Sequence, residues 1–275
     1  MSNQLPPLRL ADWQPSRDTL HQLARILGKL RGHYMPKSKH WWHITLNVSA
    51  HGLTTTPFPV AGQNLELFLD LAAHRLTLCN SNGWRCSMPL AGQSTAGLCR
   101  WVSDSLLAMG IELDRDLFVA FDSEEILTYD IEAMGRFRQA INWVDTVFKA
   151  FKGGLREETG PVQIFPHHMD LSMNWFSGRL VPGIDPSDEE SADEQLNFGF
   201  VTGDGSIPEP YFYVTAYPVP NDWTNLELPE GAYWYTEGWI GAILPYAALV
   251  TSDQPYELLH GYLMTLQEHG GNLMT

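Results

Sequence analysis

VQIFPHHMDLSMNWFSGR, at residues 162–179, alternates polar and apolar side chains over its central part. Successive side chains of an extended strand point to opposite faces, so the stretch predicts a strand with two unlike faces. The polar face contains His168, Asp170, Ser172 and Asn174. The other face contains His167, Met169, Leu171 and Met173. This division is typical of a strand that packs one face on a core and turns the other toward water or a ligand pocket.

Two other segments divide their faces in the same way. Residues 41–49, WWHITLNVS, predict a strand with His43, Thr45 and Asn47 on its polar face. Residues 208–218 predict a strand with Glu209 at its entrance and one face formed by Tyr211, Tyr213, Thr215 and Tyr217. If the three strands share a sheet, their polar faces form one concave surface. We therefore predict that His43, His168, Asp170 and Glu209 approach one another in a shared cavity.

The remaining chain predicts an α+β fold in one domain, residues 1–275, with a possible subdivision near residues 153–161. Apolar residues at helical spacing predict helices near residues 16–32, 95–109, 130–152 and 254–269. Alternating or apolar runs predict further strands near residues 65–71, 75–79, 84–88, 118–121, 196–202 and 239–244. We expect a mainly antiparallel sheet of about seven strands that packs against about four helices.

The charge of the chain excludes some classes of partner. A net charge of −15 argues against a nucleic-acid ligand. The densest basic run, from Arg25 to Lys39, is interpreted as a solvated helix C-terminus, where cations are favoured, rather than as a nucleic-acid patch. No stretch approaches the ~20 apolar residues of a membrane span, and the N-terminal residues lack the layout of a signal peptide. We predict a cytoplasmic protein without a membrane partner.

The three cysteines, Cys79, Cys86 and Cys99, show no C-x-x-C zinc spacing, and their sparse, odd count argues against a disulfide framework. If Asn82-Gly83 forms a two-residue hairpin turn, Cys79 and Cys86 lie directly opposite each other. They could then form a cross-strand disulfide under oxidation. Two reduced thiols in a cytosolic hairpin are the alternative, which a reducing compartment favours.

Several motifs resemble those of an uncharacterised family of bacterial proteins that is defined only as a domain of unknown function. They are FSGR at 176–179, the Asp170-Leu171 pair before it, EPYFYVTAYPVP at 209–220 and LPY at 244–246. The resemblance extends from the Trp-rich segment near residue 42 to the last helix, and it implies no activity. Family members often carry small residues where this chain has His167 and His168. The resemblance therefore argues against a metal site built on these histidines, and leaves Asp170, Arg179 and Glu209 as features of the family pattern.

A metal-dependent hydrolase or oxygenase is one hypothesis for the polar face. His43, His168, Asp170 and Glu194, or Glu209 in place of Glu194, are ligand types that suit zinc, iron or manganese. His168 and Asp170 are two residues apart on the predicted strand, so they could share one divalent transition metal. Without a metal, Asp170 could orient a histidine for acid–base catalysis. A serine hydrolase is disfavoured because Ser172 and Ser177 lack a G-x-S-x-G context.

Binding of a small molecule without catalysis is the hypothesis that we favour. Aromatic faces stack on sugars or attract cations, and carboxylates hold polar groups in place. The predicted ligand-binding residues are His43, Asn47, Asp170, Asn174, Arg179, Glu209, Tyr211 and Tyr213. Trp175, Trp239 and Glu237 are predicted beside them. The ligand would be a sugar or a cationic molecule in an acidic, aromatic-lined pocket. The alternative is a structural or interaction protein whose aromatic rings are core and whose carboxylates satisfy Arg179 in a buried ion pair.

Overall fold

The structure, a computed structural model, describes residues 5–114, 116–188 and 190–274. It confirms the α+β class: these residues form two antiparallel sheets of six strands each, together with five α-helices. The strands outnumber the predicted seven because five of them are only three residues long, too short to show alternation. No helix in this part of the chain is long and apolar enough to cross a lipid bilayer.

The described residues divide into two compact units. The N-terminal unit contains Ala11–Asn142 and Ile164–Met169. The C-terminal unit contains the described residues of Met1–Leu10, Trp143–Gln163 and Asp170–Thr275. That residues 1–275 form a single domain stays a prediction.

The N-terminal unit combines a sheet with two helices, α1 (Gln14–Tyr34) and α2 (Thr95–Ala108). Its strands are β1 (Asn47–Ser49), β2 (Gly52–Thr54), β3 (Phe58–Val60), β4 (Gln63–Asp70), β5 (Arg75–Asn80) and β6 (Arg85–Pro89). They are paired in the order β1-β2-β4-β5-β6, and β3 also pairs with β4. Ser94 caps α2, because its Oγ accepts a hydrogen bond from the amide of Gly97 at 3.0 Å.

The C-terminal unit is built on the second sheet, in the order β11-β12-β10-β9-β8-β7. These strands are β7 (Gln163–Phe165), of which only Gln163 belongs to this unit, β8 (Asp170–Leu180), β9 (Asp193–Val201), β10 (Tyr211–Tyr217), β11 (Tyr233–Tyr235) and β12 (Gly241–Pro245). The helices are α3 (Ile131–Gly154), which begins in the N-terminal unit, α4 (Tyr246–Thr251) and α5 (Pro255–Leu273). Phe148 and Phe151 of α3 pack on Phe212 and Phe198 of the sheet, with ring centroids 6.4 and 5.0 Å apart.

The predicted strand at residues 41–49 is wrong over most of its length. Lys39–Ile44 forms a 3₁₀ turn in which His40 and Trp41 adopt left-handed backbone conformations, with φ of 52° and 58°. The strand begins only at Asn47, after an isolated antiparallel bridge between Leu46 and Ile164. The turn is held from outside the segment, because the Arg31 Nη1 donates to the carbonyls of Trp42 and His43 at 2.9 and 2.6 Å. His43 therefore does not share a strand face with Asn47.

The predicted strand at residues 162–179 is interrupted in its middle. β7 ends at Phe165, the chain turns through Pro166–Met169, and β8 begins at Asp170. Met169 adopts a left-handed φ of 57° in this turn. His168 therefore lies in a turn and not on the strand face of Asp170. The predicted strand at residues 118–121 is also wrong, because Val119–Phe121 forms a 3₁₀ turn.

The hairpin of β5 and β6 is confirmed, but its predicted register is wrong by one residue. Cys79 is opposite Arg85, and Leu78 is opposite Cys86. The amide of Asn80 donates to the carbonyl of Trp84 at 3.0 Å, which closes a longer loop than the expected two-residue turn. Cys79 and Cys86 are therefore not directly opposite each other, and all three cysteines are free thiols.

Candidate functional site

Asp170 and Tyr213 meet on one face of the C-terminal sheet. The Tyr213 hydroxyl donates to the Asp170 Oδ2 at 2.6 Å. Gly199, on the strand between them, leaves room for the tyrosine ring, since a Cβ there would lie 2.2 Å from the Tyr213 Cζ. Burial raises the pKa of Tyr213 well above its usual value, and the charge of Asp170 raises it further. The phenol is therefore a hydrogen-bond donor at neutral pH.

The neighbouring polar side chains on this face are also paired within the unit. The Tyr211 hydroxyl donates to the Asp204 Oδ2 at 2.6 Å. The pKa of Tyr211 is raised, first by burial and then by its bond to Asp204. The Asn174 Nδ2 donates to the Gln195 Oε1, also at 2.6 Å. These bonds satisfy buried polar groups, which is the structural role expected for polar side chains in a sheet interior.

Arg179 and Glu209 each have a partner that the sequence did not suggest. The Arg179 guanidinium binds Glu194, with Nη2 and Oε2 2.9 Å apart, and the Ser177 hydroxyl donates to the same carboxylate. Arg179 therefore pairs with a predicted metal ligand. The Glu209 Oε2 accepts a hydrogen bond from the amide of Leu10 at 3.0 Å, so this carboxylate anchors the N-terminal segment of its own unit.

The predicted metal ligands are divided between the units. His43 and His168 lie in the N-terminal unit, as does Asn47, whereas Asp170 and Glu194 lie in the C-terminal unit. Among the residues that the structure describes, no group of three or more histidines, cysteines or carboxylates is arranged to hold a metal ion. A metal site and a catalytic role for His168 and Asp170 stay predictions.

A cavity of about 480 Å³ lies within the N-terminal unit. Its walls come from helix α1, the 3₁₀ turn Lys39–Ile44, residues 117–121 and the turn at Pro166. The side chains that matter for ligand chemistry are Arg25, Lys29, His33, Lys37, Trp41, His43, Phe121 and His167. The volume is within the range of small-molecule sites, about 300–1,000 Å³. Of the residues predicted to bind a ligand, His43 lines this cavity.

Two glycines of α1 allow the cavity walls to approach the helix. A Cβ on Gly28 would lie 2.4 Å from the Pro166 Cγ, and a Cβ on Gly32 would lie 2.8 Å from the Ile44 Cγ2. The helix predicted near residues 16–32 continues past Gly32 to Tyr34. Both glycines therefore lie inside the helix and allow close packing.

The charged side chains of the cavity are cationic. Arg25, Lys29 and Lys37 line it, and none of its described lining residues is a carboxylate. No ion pair joins these cations to a carboxylate in the described part of the chain. His167 has a lowered pKa, first because neighbouring groups shield its ring from water and then because His168 and His21 lie near it. The cavity is thus locally positive in a chain of net charge −15.

Aromatic rings provide flat surfaces beside these cations. Trp41 is 49% exposed and stacks on His43, with ring centroids 5.6 Å apart. The Arg25 guanidinium lies over the Phe121 ring, 5.4 Å from its centroid. The Ser38 amide donates to the His43 Nδ1 at 3.4 Å, which leaves Nε2 to carry the proton in the neutral ring. The cavity can therefore contact both an anionic group and a flat apolar group.

Comparison with known proteins supports a family assignment. A family model described as a family of unknown function, DUF5996, matches residues 5–275. No curated protein and no solved structure matches the chain. The resemblance seen in the sequence is therefore confirmed, and the chain belongs to DUF5996, a family of unknown function.

Proposed function

We propose that this protein binds a small organic anion with a flat apolar group in the cavity of its N-terminal unit. The observation that carries the proposal is the set of three cations, Arg25, Lys29 and Lys37, around a cavity of about 480 Å³ without a carboxylate among its described lining residues. Unpaired cations in a concave, partly apolar site attract carboxylate, sulfonate or phosphate groups.

The aromatic surfaces narrow the proposed ligand class. Trp41, which is 49% exposed, offers a ring face next to the cations, so an aromatic or similarly flat anion would fill the cavity better than a simple inorganic ion. The sequence favoured a sugar or a cation at an acidic site. The positive lining of this cavity supports an anion instead, because a cationic ligand would be repelled by Arg25 and Lys29.

The proposal is tested by titrating the full chain with anilinonaphthalene sulfonate and following the fluorescence of this aromatic anion. We expect the double variant Arg25→Gln/Lys29→Gln to bind it about tenfold more weakly, because two exposed charge pairs of ~0.7 kcal/mol each are lost. Both side chains are exposed, so the fold should survive the substitutions. Benzoate should displace the probe, whereas benzyl alcohol, which has the same ring without the charge, should displace it poorly.

The matched control is Arg85→Gln/Arg156→Gln, which removes two exposed cations that do not line the cavity. This variant has the same net charge as the test variant and should bind the probe within about twofold of the unmodified chain. Equal weakening in both variants would mean that the probe responds to overall charge. Displacement by benzyl alcohol as effective as that by benzoate would also contradict the proposal, since the ligand would then be recognised by its ring alone.

A further inference from the structure

Helix α2 leaves one face uncovered along a second concavity of the N-terminal unit. Ala96, Arg100, Asp104 and Leu107 recur at helical spacing on this face and line a groove of about 630 Å³. The opposite wall contains Glu112, Leu113, Asp114, Phe118, Val119, Phe121, Asp122 and Glu124. The stripe from Ala96 to Leu107 is about 16 Å long at the α-helical rise, which equals about three helical turns.

The groove exposes apolar side chains that a folded protein usually covers. Leu107 is 58% exposed and Val119 is 70% exposed, and Leu113 and Phe118 line the groove with them. Grouped exposed apolar residues with a polar rim are typical of a protein-interaction surface. Each of these side chains belongs to the groove and not to the anion cavity, although the two share Phe121 as a wall.

The rim of the groove is acidic. Its described carboxylates are Asp104, Glu112, Asp114, Asp122 and Glu124. Among the described lining residues Arg100 is the single cation, and both of its terminal nitrogens bind Glu124, at 2.5 and 3.0 Å. Asp104 also lies near Arg100, and Glu112, Asp114 and Asp122 thus remain without a cation among these lining residues. The groove therefore attracts positive charge, in contrast to the cavity on the other side of Phe121.

We propose that this groove docks a basic amphipathic helical segment of a partner protein. Its length fits about three turns, its apolar side chains fit the leucine or phenylalanine anchors of such a helix, and its carboxylates fit the flanking lysines or arginines. A second copy of this chain is a poor occupant, because two chains of net charge −15 repel each other. The inference goes beyond anion binding and does not depend on it.

A model peptide tests the inference with the full chain. The probe is a dye-labelled peptide of about 14 residues, with leucines on one helical face and lysines elsewhere. Its control has the same composition with the leucines spread around the helix. We expect fluorescence anisotropy to show at least about tenfold tighter binding of the amphipathic peptide than of the control peptide.

Two matched double variants locate the binding. Asp104→Asn/Leu107→Ser changes two exposed groove residues, and Glu230→Gln/Leu180→Ser makes the equivalent changes at exposed residues of the C-terminal unit. The groove variant should bind the amphipathic peptide at least about tenfold more weakly, and the second variant should bind within about twofold of the unmodified chain. Equal affinities for the two peptides, equal losses in the two variants or no binding of the amphipathic peptide would each overturn the inference.

Discussion

Raising the pH from about 9 to about 11 is expected to lower the free energy of unfolding by about 4 kcal/mol through three buried tyrosines alone. Tyr211, Tyr246 and Tyr262 are at most 3% exposed, and burial is the main cause that raises the pKa of each. In the unfolded chain these phenols titrate near pH 10, whereas in the folded protein they stay protonated at pH 11. The unfolded state alone then gains stability by ionising.

The raised pKa values determine that the free energy of unfolding falls, rather than rises, at high pH. Their stabilising effect is fully present below about pH 10 and is lost as the pH rises further, by about 1.4 kcal/mol per phenol at pH 11. Urea unfolding at constant ionic strength measures the loss. The buried phenols should not ionise before the protein unfolds, so the ultraviolet absorbance of phenolate should rise together with the unfolding signal. A phenolate signal from all tyrosines in the folded protein would contradict the expectation.

Tyr262→Phe isolates one of these phenols. The Tyr262 hydroxyl donates to the carbonyl of Ala242 at 2.7 Å, so its removal should lower stability by about 1 kcal/mol near neutral pH. The variant no longer contains this titrating group, so its free energy of unfolding should fall less steeply with rising pH. The two proteins should reach equal stability at about pH 11. Tyr256→Phe is the control for loss of a hydroxyl outside the core, because Tyr256 is 41% exposed, and it should change stability near neutral pH by less than about 0.5 kcal/mol.

Gly28→Ala is expected to lower the free energy of unfolding by about 2 kcal/mol, although alanine is the better helix former by about 1 kcal/mol. The added Cβ would lie 2.4 Å from the Pro166 Cγ and 3.0 Å from the Ile44 carbonyl oxygen. The proline ring is rigid and the carbonyl oxygen belongs to the backbone, so neither can move aside at a low energetic cost. The cost of overpacking therefore exceeds the gain from helix propensity. Chemical denaturation of the two proteins measures the difference.

Gly261→Ala is the matched control, in helix α5. No described atom comes within 4 Å of the Cβ that it adds, so this substitution should raise stability by about 0.5–1 kcal/mol. The double variant Gly28→Ala/Pro166→Ala should show a favourable coupling, because the two changes act on the same contact. An increase in stability from Gly28→Ala as large as that from Gly261→Ala would mean that α1 does not lie this close to Pro166.

The elements predicted correctly are those that a local pattern decides. Met134, Phe137, Ile141 and Val144 recur every three or four residues, and all are buried on one face of α3. Asp130 caps that helix, because its Oδ1 accepts hydrogen bonds from the amides of Glu132 and Ala133. The spacing of the apolar residues and the capping residue both lie within one stretch of chain, so they can be predicted without knowledge of the fold.

The errors come from contacts between distant residues. Residues 41–49 alternate like a strand, yet Arg31 holds the carbonyls of Trp42 and His43 in a 3₁₀ turn. The cavity was not predicted for the same reason. Phe121 and Pro166, which are distant in sequence from α1, complete its walls, and Arg25 and Lys29 alone suggested only a helix end. The interior glycines Gly28 and Gly32 were the available signal, because glycine in an apolar helix often marks a close approach of another segment.

The anchoring of the 3₁₀ turn by Arg31 has a thermodynamic consequence for recognition. The wall that carries Trp41 and His43 is secured by hydrogen bonds of the chain itself, so the entropy of arranging it is lost during folding. An incoming ligand would need to immobilise only mobile side chains such as Lys29. If the proposed ligand binds here, this wall of its site is preorganised, and binding would not require closure of a loop.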